Sequence, residues 1–263
     1  MQLNFNLQFS DNLRIIDDTK ICSELYPQIN NIPDPEQELM NGIKWGCFSQ
    51  LFTPAYWKVQ YLMHNQKEDT IQYKLGESLL EEITACLLGG FGFKSELGML
   101  AFDRLKNRGL IKEGSSHKKI LNCLTEPFTF NSKEIHYRFP NQKSKFIYEF
   151  LNRKDLELIP KYNDIELRNW LLTVNGIGSK TASWITRNYL DSENVAIIDI
   201  HIFRACQIMG LFTKNFDIQK DYDKLEQMFL GFCRKLDVLP SKMDTLIWLQ
   251  MKQSNRLILK GNY

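Results

Sequence analysis

The sequence predicts a mainly α protein with a small N-terminal region containing some β, divided into residues 1–75 and 76–263. Three observations predict it. From Glu77 onward apolar residues recur at helical spacing in one segment after another. Residues 2–9 instead alternate, with Leu3, Phe5, Leu7 and Phe9 on one side, as a half-buried strand does. Between two of the helical segments lies a tight Gly176-Ile177-Gly178 turn.

At 263 residues, 43% hydrophobic and 24% charged, the chain has the composition of an ordinary globular protein and can bury a sizeable core. A net charge of only +2 means that nucleic-acid binding must come from a local patch. Six cysteines (Cys22, Cys47, Cys86, Cys123, Cys206, Cys233) include no CxxC pair, which speaks against a zinc knuckle or a disulfide framework. The opening Met1-Gln2-Leu3-Asn4-Phe5-Asn6 is polar at every second position, unlike a signal peptide, and no apolar run reaches transmembrane length. A cytoplasmic, nucleoid-associated setting with no membrane contact is the expectation.

In chain order, residues 29–36 (INNIPDPE) read as a loop. The aromatic segment 44–62, with Trp45, Phe48, Phe52, Tyr56, Trp57 and Tyr61, fits strands or a short helix. SLLEEITACLL is helical and ends at Gly89-Gly90. Lys94–Arg108 is a helix presenting Leu97, Leu100, Ala101 and Leu105, stopped by Gly109. Short helices follow at Lys118–Leu124, Gln142–Asn152 and Asn163–Thr173, the last with Asn163 and Glu166 spaced as a capping box. Ser179–Tyr189, Ile198–Met209, Tyr222–Leu236 and Asp244–Gln253 complete the set.

The turn is the most informative stretch. Glycine tolerates positive φ and lets another backbone approach closely. The helix that starts at Ser179 aims its free N–H groups and positive dipole end out of the turn, a ready anion site. A DNA phosphate would bind at Gly176, Gly178 and Ser179 without sequence readout; an ordinary helix connection is the plain alternative. Lys180 falls in the first helical turn, where the dipole opposes a cation. That placement makes little sense for stability, but an amine nucleophile is what attack on a sugar carbon requires. Asp199, nineteen positions on, ends the apolar run Ala196-Ile197-Ile198. It can be a catalytic carboxylate, an N-cap for the next helix, or both.

The stretch LLTVNGIGSKTASWITRNYLDSENVAIIDIHIFR, residues 171–204, resembles the helix-hairpin-helix DNA glycosylase superfamily, and within it the 8-oxoguanine glycosylase/AP lyases. The resemblance is closest over residues 165–205 and extends to 77–165 and 239–260. It implies a helix-hairpin-helix glycosylase fold for 76–263. It implies that Lys180 attacks C1′ of a damaged nucleoside, forms a Schiff base and then cuts the strand by β-elimination, while Asp199 stabilises the positive charge developing on the sugar. It implies a monovalent cation at the carbonyls of Leu172, Val174 and Ile177, and a phosphate contact or orienting role for His201, which can equally be a structural histidine. Arg204 is a further backbone-phosphate candidate or a solvated charge. No redox cofactor is called for. Many hairpin glycosylases carry an iron–sulfur cluster on four closely spaced thiolates; only Cys206 and Cys233 follow Asp199, so none is expected.

Residues 239–260 resemble the tail of the archaeal-type enzymes. A flipped purine needs a stacking face and hydrogen-bond acceptors; Trp248 and Asp244, spaced i, i+4, supply them, or are a core tryptophan and an N-cap. The archaeal class ends at the lysine whose carboxylate reaches the base, whereas this chain continues through Gly261-Asn262-Tyr263. Phe91-Gly92-Phe93-Lys94 sits where the eukaryotic enzymes that the chain resembles carry a pair of asparagines that probe the opposite strand; Phe91 or Phe93 is a duplex wedge or a core residue. Lys143 and Lys145 are candidate phosphate contacts. The expected partner is double-stranded DNA with a damaged base, bound by a monomer. GGFGFKSELGMLAFDRL also resembles oxoguanine-glycosylase-fold proteins of bacterial antiphage operons, which leaves a non-catalytic DNA- or nucleotide-binding accessory protein in a defence complex as the second reading.

Overall fold

The computed structural model describes residues 27–258 except 41, 66–73 and 90–94. The expected strand at 2–9, Phe91, Phe93 and the tail from Lys260 therefore lie outside the described residues. The described residues divide into two compact units: 74–192, and 27–65 with 193–258.

The first unit holds α2 (Leu79–Leu88), α3 (Ser95–Asn107), α4 (His117–Thr125), the hairpin β3 (Phe128–Phe130) and β4 (Lys133–Ile135), α5 (Pro140–Leu151), a 3₁₀ turn (Leu156–Lys161), α6 (Asp164–Leu171) and α7 (Ser179–Leu190). Helix α2 is its centre and packs against α3, α5 and α7. Every residue from Glu82 to Leu88 is buried, so this part of the helix is covered on all sides, Glu82 and Thr84 included. Ser78 caps α2 by accepting from the Glu81 N–H. The buried face of α3 is Ser95, Gly98, Ala101, Phe102 and Leu105 rather than the leucine stripe expected from sequence. The reason is Gly98, where an added Cβ would stand 3.4 Å from the Leu88 carbonyl: the glycine draws the helix in against the end of α2 and leaves Leu97 and Leu100 only half-buried.

The second unit holds the antiparallel ribbon β1 (Glu38–Met40) and β2 (Ile43–Lys44), then α1 (Pro54–Asn65), α8 (Ile200–Ile208), α9 (Tyr222–Leu236) and α10 (Pro240–Ile258). Helix α10 packs against α1, α8 and α9. Of the aromatic segment 44–62, only Lys44 lies in a strand, and the part from Pro54 onward is a helix. Its rings divide the work: Trp45, Trp57 and Tyr61 are core residues, while Phe52 stacks on Trp57 at 5.7 Å. Helix α10 starts four residues before the expected Asp244, because Pro240 is a favourable first helical residue. Asp244 is therefore not an N-cap. Among the described residues no helix is long and apolar enough to cross a membrane.

Candidate nucleic-acid and catalytic site

The hairpin belongs to the first unit and is braced from behind. Asn163 and Glu166 form the expected reciprocal capping box at the start of α6. Arg168, buried in α6, donates Nε–H to Ser183 Oγ of α7 at 3.1 Å and ties the two helices together. The turn itself is gripped by Arg153, whose guanidinium donates to the Thr173 carbonyl at 3.1 Å and to Thr173 Oγ1 at 2.9 Å. Asp155 holds that guanidinium at 2.8 and 2.6 Å and also accepts from Trp170 Nε1 at 2.7 Å. The adjacent Arg153 charge and the Trp170 bond hold the Asp155 carboxyl down to about 2. Asn175 Nδ2 donates to Glu149 at 2.9 Å. Neither Arg153 nor Asp155 stands out in sequence, because nothing local marks them as partners of a turn about twenty residues away.

Within the turn, Val174 and Ile177 point into the core while Thr173, Asn175, Gly176 and Gly178 are exposed. Gly176 has φ +92°, and a Cβ there would meet Phe146 Cδ2 at 2.5 Å. The two glycines therefore do different things. Gly176 is needed for the fold of the turn, whereas a Cβ on Gly178 would meet nothing within 4 Å. Gly178 is the N-cap of α7 and makes no side-chain cap bond, and the space beside its Cα is open. Ser179 and Lys180 are its first two residues, both half-buried. The Val174 carbonyl accepts from the Ile177 N–H at 3.1 Å; among the described residues no group of three or more His, Cys, Asp or Glu is placed to hold a metal ion.

Nearby in the same unit, the two expected phosphate lysines part company. Lys143 Nζ donates to the Gly89 carbonyl at 2.8 Å, and burial lowers its ammonium below the ordinary value. Lys145 is exposed and lies 3.8 Å from Glu149.

Asp199 belongs to the second unit. It is 8% exposed and caps α8: Oδ1 accepts from the backbone N–H of His201 at 2.8 Å and of Ile202 at 3.0 Å. Both bonds fall on one oxygen and leave Oδ2 outside the cap, so capping does not preclude a second task. His201 is buried and Arg204 is exposed. Asp244 is 2% exposed, and its Oδ2 accepts from the Ile197 N–H at 3.0 Å. The acceptor expected for a flipped base thus holds backbone two residues before Asp199. Trp248 is half-buried one turn later, with Lys252 Nζ 4.6 Å from its ring centroid. Sequence reasoning missed Glu226 and Tyr222, which bind the same backbone segment. The available signal was a carboxylate inside the apolar face Leu225, Phe229, Leu230 of α9.

Residues 63–238 match the family model described as 8-oxoguanine DNA glycosylase. The chain belongs to that family. Among relatives, it is 33% identical over 122 residues to the 8-oxoguanine DNA glycosylase/AP lyase of Metallosphaera sedula, covering 44% of this chain and 59% of that protein. It is 30% identical over 148 residues to the enzyme of the same name from Sulfolobus acidocaldarius, covering 53% and 70%. The match to the first of these spans less than two thirds of the relative's length. The solved structure of Methanocaldococcus jannaschii 8-oxoguanine DNA glycosylase is similar with a TM-score of 0.55 at 22% identity, covering 77% of this chain and 96% of that one. The same archaeal protein in complex with 15mer DNA containing 8-oxoguanine gives 0.53 at 21% identity, covering 73% and 95%. At that identity the likeness is one of fold: a mainly helical hairpin glycosylase fold with small antiparallel sheets.

Proposed function

We propose that this protein is a DNA glycosylase with AP lyase activity that flips an oxidised purine of the 8-oxoguanine kind out of double-stranded DNA and excises it through Lys180. The observation that carries the reading is local. A family hairpin presents an uncapped helix start at Gly178, with open space around it, and sets a lysine at the second position of that helix. A phosphate taken up by the amides of Gly178 and Ser179 brings a backbone to the lysine. Lys180 Nζ, as the neutral amine, bonds to C1′ as the bond from C1′ to the base breaks, and the base leaves with a proton. Opening of the sugar gives an iminium on Nζ. Loss of a C2′ proton then expels the 3′ phosphate and cuts the strand. The Asp199 carboxylate stabilises the positive charge that grows on the sugar during the first step. Trp248 offers the flipped base its stacking face. The phosphate contacts fall to the open turn and to Lys145, not to the buried His201. The reaction uses no cofactor.

The test is reductive trapping. Borohydride added to the protein and a duplex carrying 8-oxoguanine should yield a covalent protein–DNA adduct. Lys180→Gln should abolish the adduct while duplex binding survives. If no oxidised-purine or abasic duplex gives an adduct, the lyase reading falls. Binding without trapping would instead favour a non-catalytic member that only holds DNA.

A further inference from the structure

The backbone that leads into Asp199 is buried yet belongs to neither of the two-stranded sheets. Val195, Ala196 and Ile198 are fully buried and Ile197 is 7% exposed. Backbone N–H groups in such a place need acceptors. Three side chains supply them to three consecutive residues. The Ala196 N–H donates to Glu226 Oε1 at 3.0 Å, the Ile197 N–H to Asp244 Oδ2 at 3.0 Å, and the Ile198 N–H to Tyr222 Oη at 3.2 Å. Tyr222 Oη also donates to the Ala196 carbonyl at 3.1 Å. Tyr222 and Glu226 stand one helical turn apart on α9, and Asp244 stands on α10.

Glu226 and Asp244 are each 2% exposed. Burying two carboxylates is costly, and a sheet partner would satisfy the same N–H groups with no buried carboxylate. What carboxylates add is a strong, directed acceptor at Ala196 and at Ile197. Path and height of the segment are thereby set by two helices, and the next residue along it is Asp199.

We infer that Glu226, with Tyr222, is a positioning residue for Asp199: its carboxylate fixes the Ala196 backbone and so the place of the Asp199 side chain during base excision. The inference rests on the proposed role of Asp199. The experiment compares Glu226→Gln, which keeps an acceptor oxygen, with Glu226→Leu, which removes it. Single-turnover excision from an 8-oxoguanine duplex, duplex affinity and thermal unfolding are measured for each. Glu226→Leu should slow excision roughly 10- to 100-fold, the scale of a small misplacement of a reacting group. Its duplex affinity should stay within about threefold of the parent, since only the reacting geometry changes. Glu226→Gln should recover most of the rate. In an Asp199→Asn background, Glu226→Leu should add no further loss.

Unchanged excision in Glu226→Leu overturns the inference. So does a Glu226→Gln protein as slow as Glu226→Leu, or an undiminished effect in the Asp199→Asn background. If Glu226→Leu does not fold, Tyr222→Phe, which removes only the hydroxyl, should show the same split between rate and affinity; excision at the parent rate in Tyr222→Phe overturns the inference. An Asp199→Asn protein that excises as fast as the parent refutes the underlying reading, and that is seen without any Glu226 variant.

Discussion

The two glycines of the hairpin turn should respond to the same substitution in opposite ways. An alanine at Gly176 must either hold φ near +92° or distort the turn, and its Cβ would stand 2.5 Å from Phe146 Cδ2 and 3.1 Å from Leu87 Cδ2. Left-handed backbone costs an alanine about 1–2 kcal/mol and overpacking of this kind about 1–3 kcal/mol, so roughly 2–5 kcal/mol is expected. For a chain of this length that is a fall of roughly 4–20 °C in melting temperature. At Gly178, φ is −102° and the new Cβ has open space. Loss of the glycine N-cap there costs only about 0.5 kcal/mol. The methyl group would, however, sit on the edge where a phosphate approaches the amides, and removal of one such charge-assisted bond weakens duplex binding about tenfold. Thermal unfolding followed by circular dichroism, with fluorescence anisotropy on a labelled abasic-analogue duplex at fixed salt, separates the two effects. A Gly176→Ala protein that melts with the parent refutes the steric argument. A Gly178→Ala protein that binds as tightly as the parent refutes the open edge as the DNA-facing side of the turn.

Asp155 should make hairpin stability pH-dependent. Its carboxyl is held at about 2, below the ordinary 3.8, so its contribution is complete above about pH 4 and is lost as pH falls through about 2. Asp155→Asn should lower stability at neutral pH by about 1 kcal/mol, a figure reduced because the carboxylate is partly exposed, and the difference should shrink toward pH 2; a constant difference across that range contradicts the assignment. Salt titration of duplex affinity should separate the two lysines. Lys145→Met is expected to reduce the slope of log affinity against log salt by about 0.9. Lys143→Met should leave the slope unchanged and lower the melting temperature, since its ammonium holds the Gly89 carbonyl; equal slopes for both variants would reverse that division. Among the described cysteines, Cys47 should react first with a thiol reagent under native conditions. Bonds to Ser49 lower its thiol, whereas burial pushes Cys86, Cys206 and Cys233 well up. Peptide mapping that finds one of the buried thiols labelled first would contradict this.

The positions of α6, α7, α8 and α9, the Asn163–Glu166 box, the Gly176–Gly178 turn and the candidates Lys180 and Asp199 were legible in the sequence. Each depends on local chemistry: caps, apolar spacing and glycine at a turn act within a few residues. The boundaries that moved did so for local reasons too, as at Pro240. What was not legible is who holds the site. Arg153 and Asp155 grip the turn, Glu226, Tyr222 and Asp244 hold the backbone before Asp199, and Lys143 is turned to a carbonyl instead of outward. A charged residue looks the same in sequence whether it is solvated or satisfying a distant buried group. Only packing decides which backbone groups are left without a ladder partner, and so which side chains must reach them. The sequence by itself determined the hairpin turn with Lys180 in the helix that follows it, and Asp199 at the start of a later helix. Tertiary structure decided how the turn and the backbone before Asp199 are held, because burial makes every unpaired N–H costly and side chains far along the chain are what answer it.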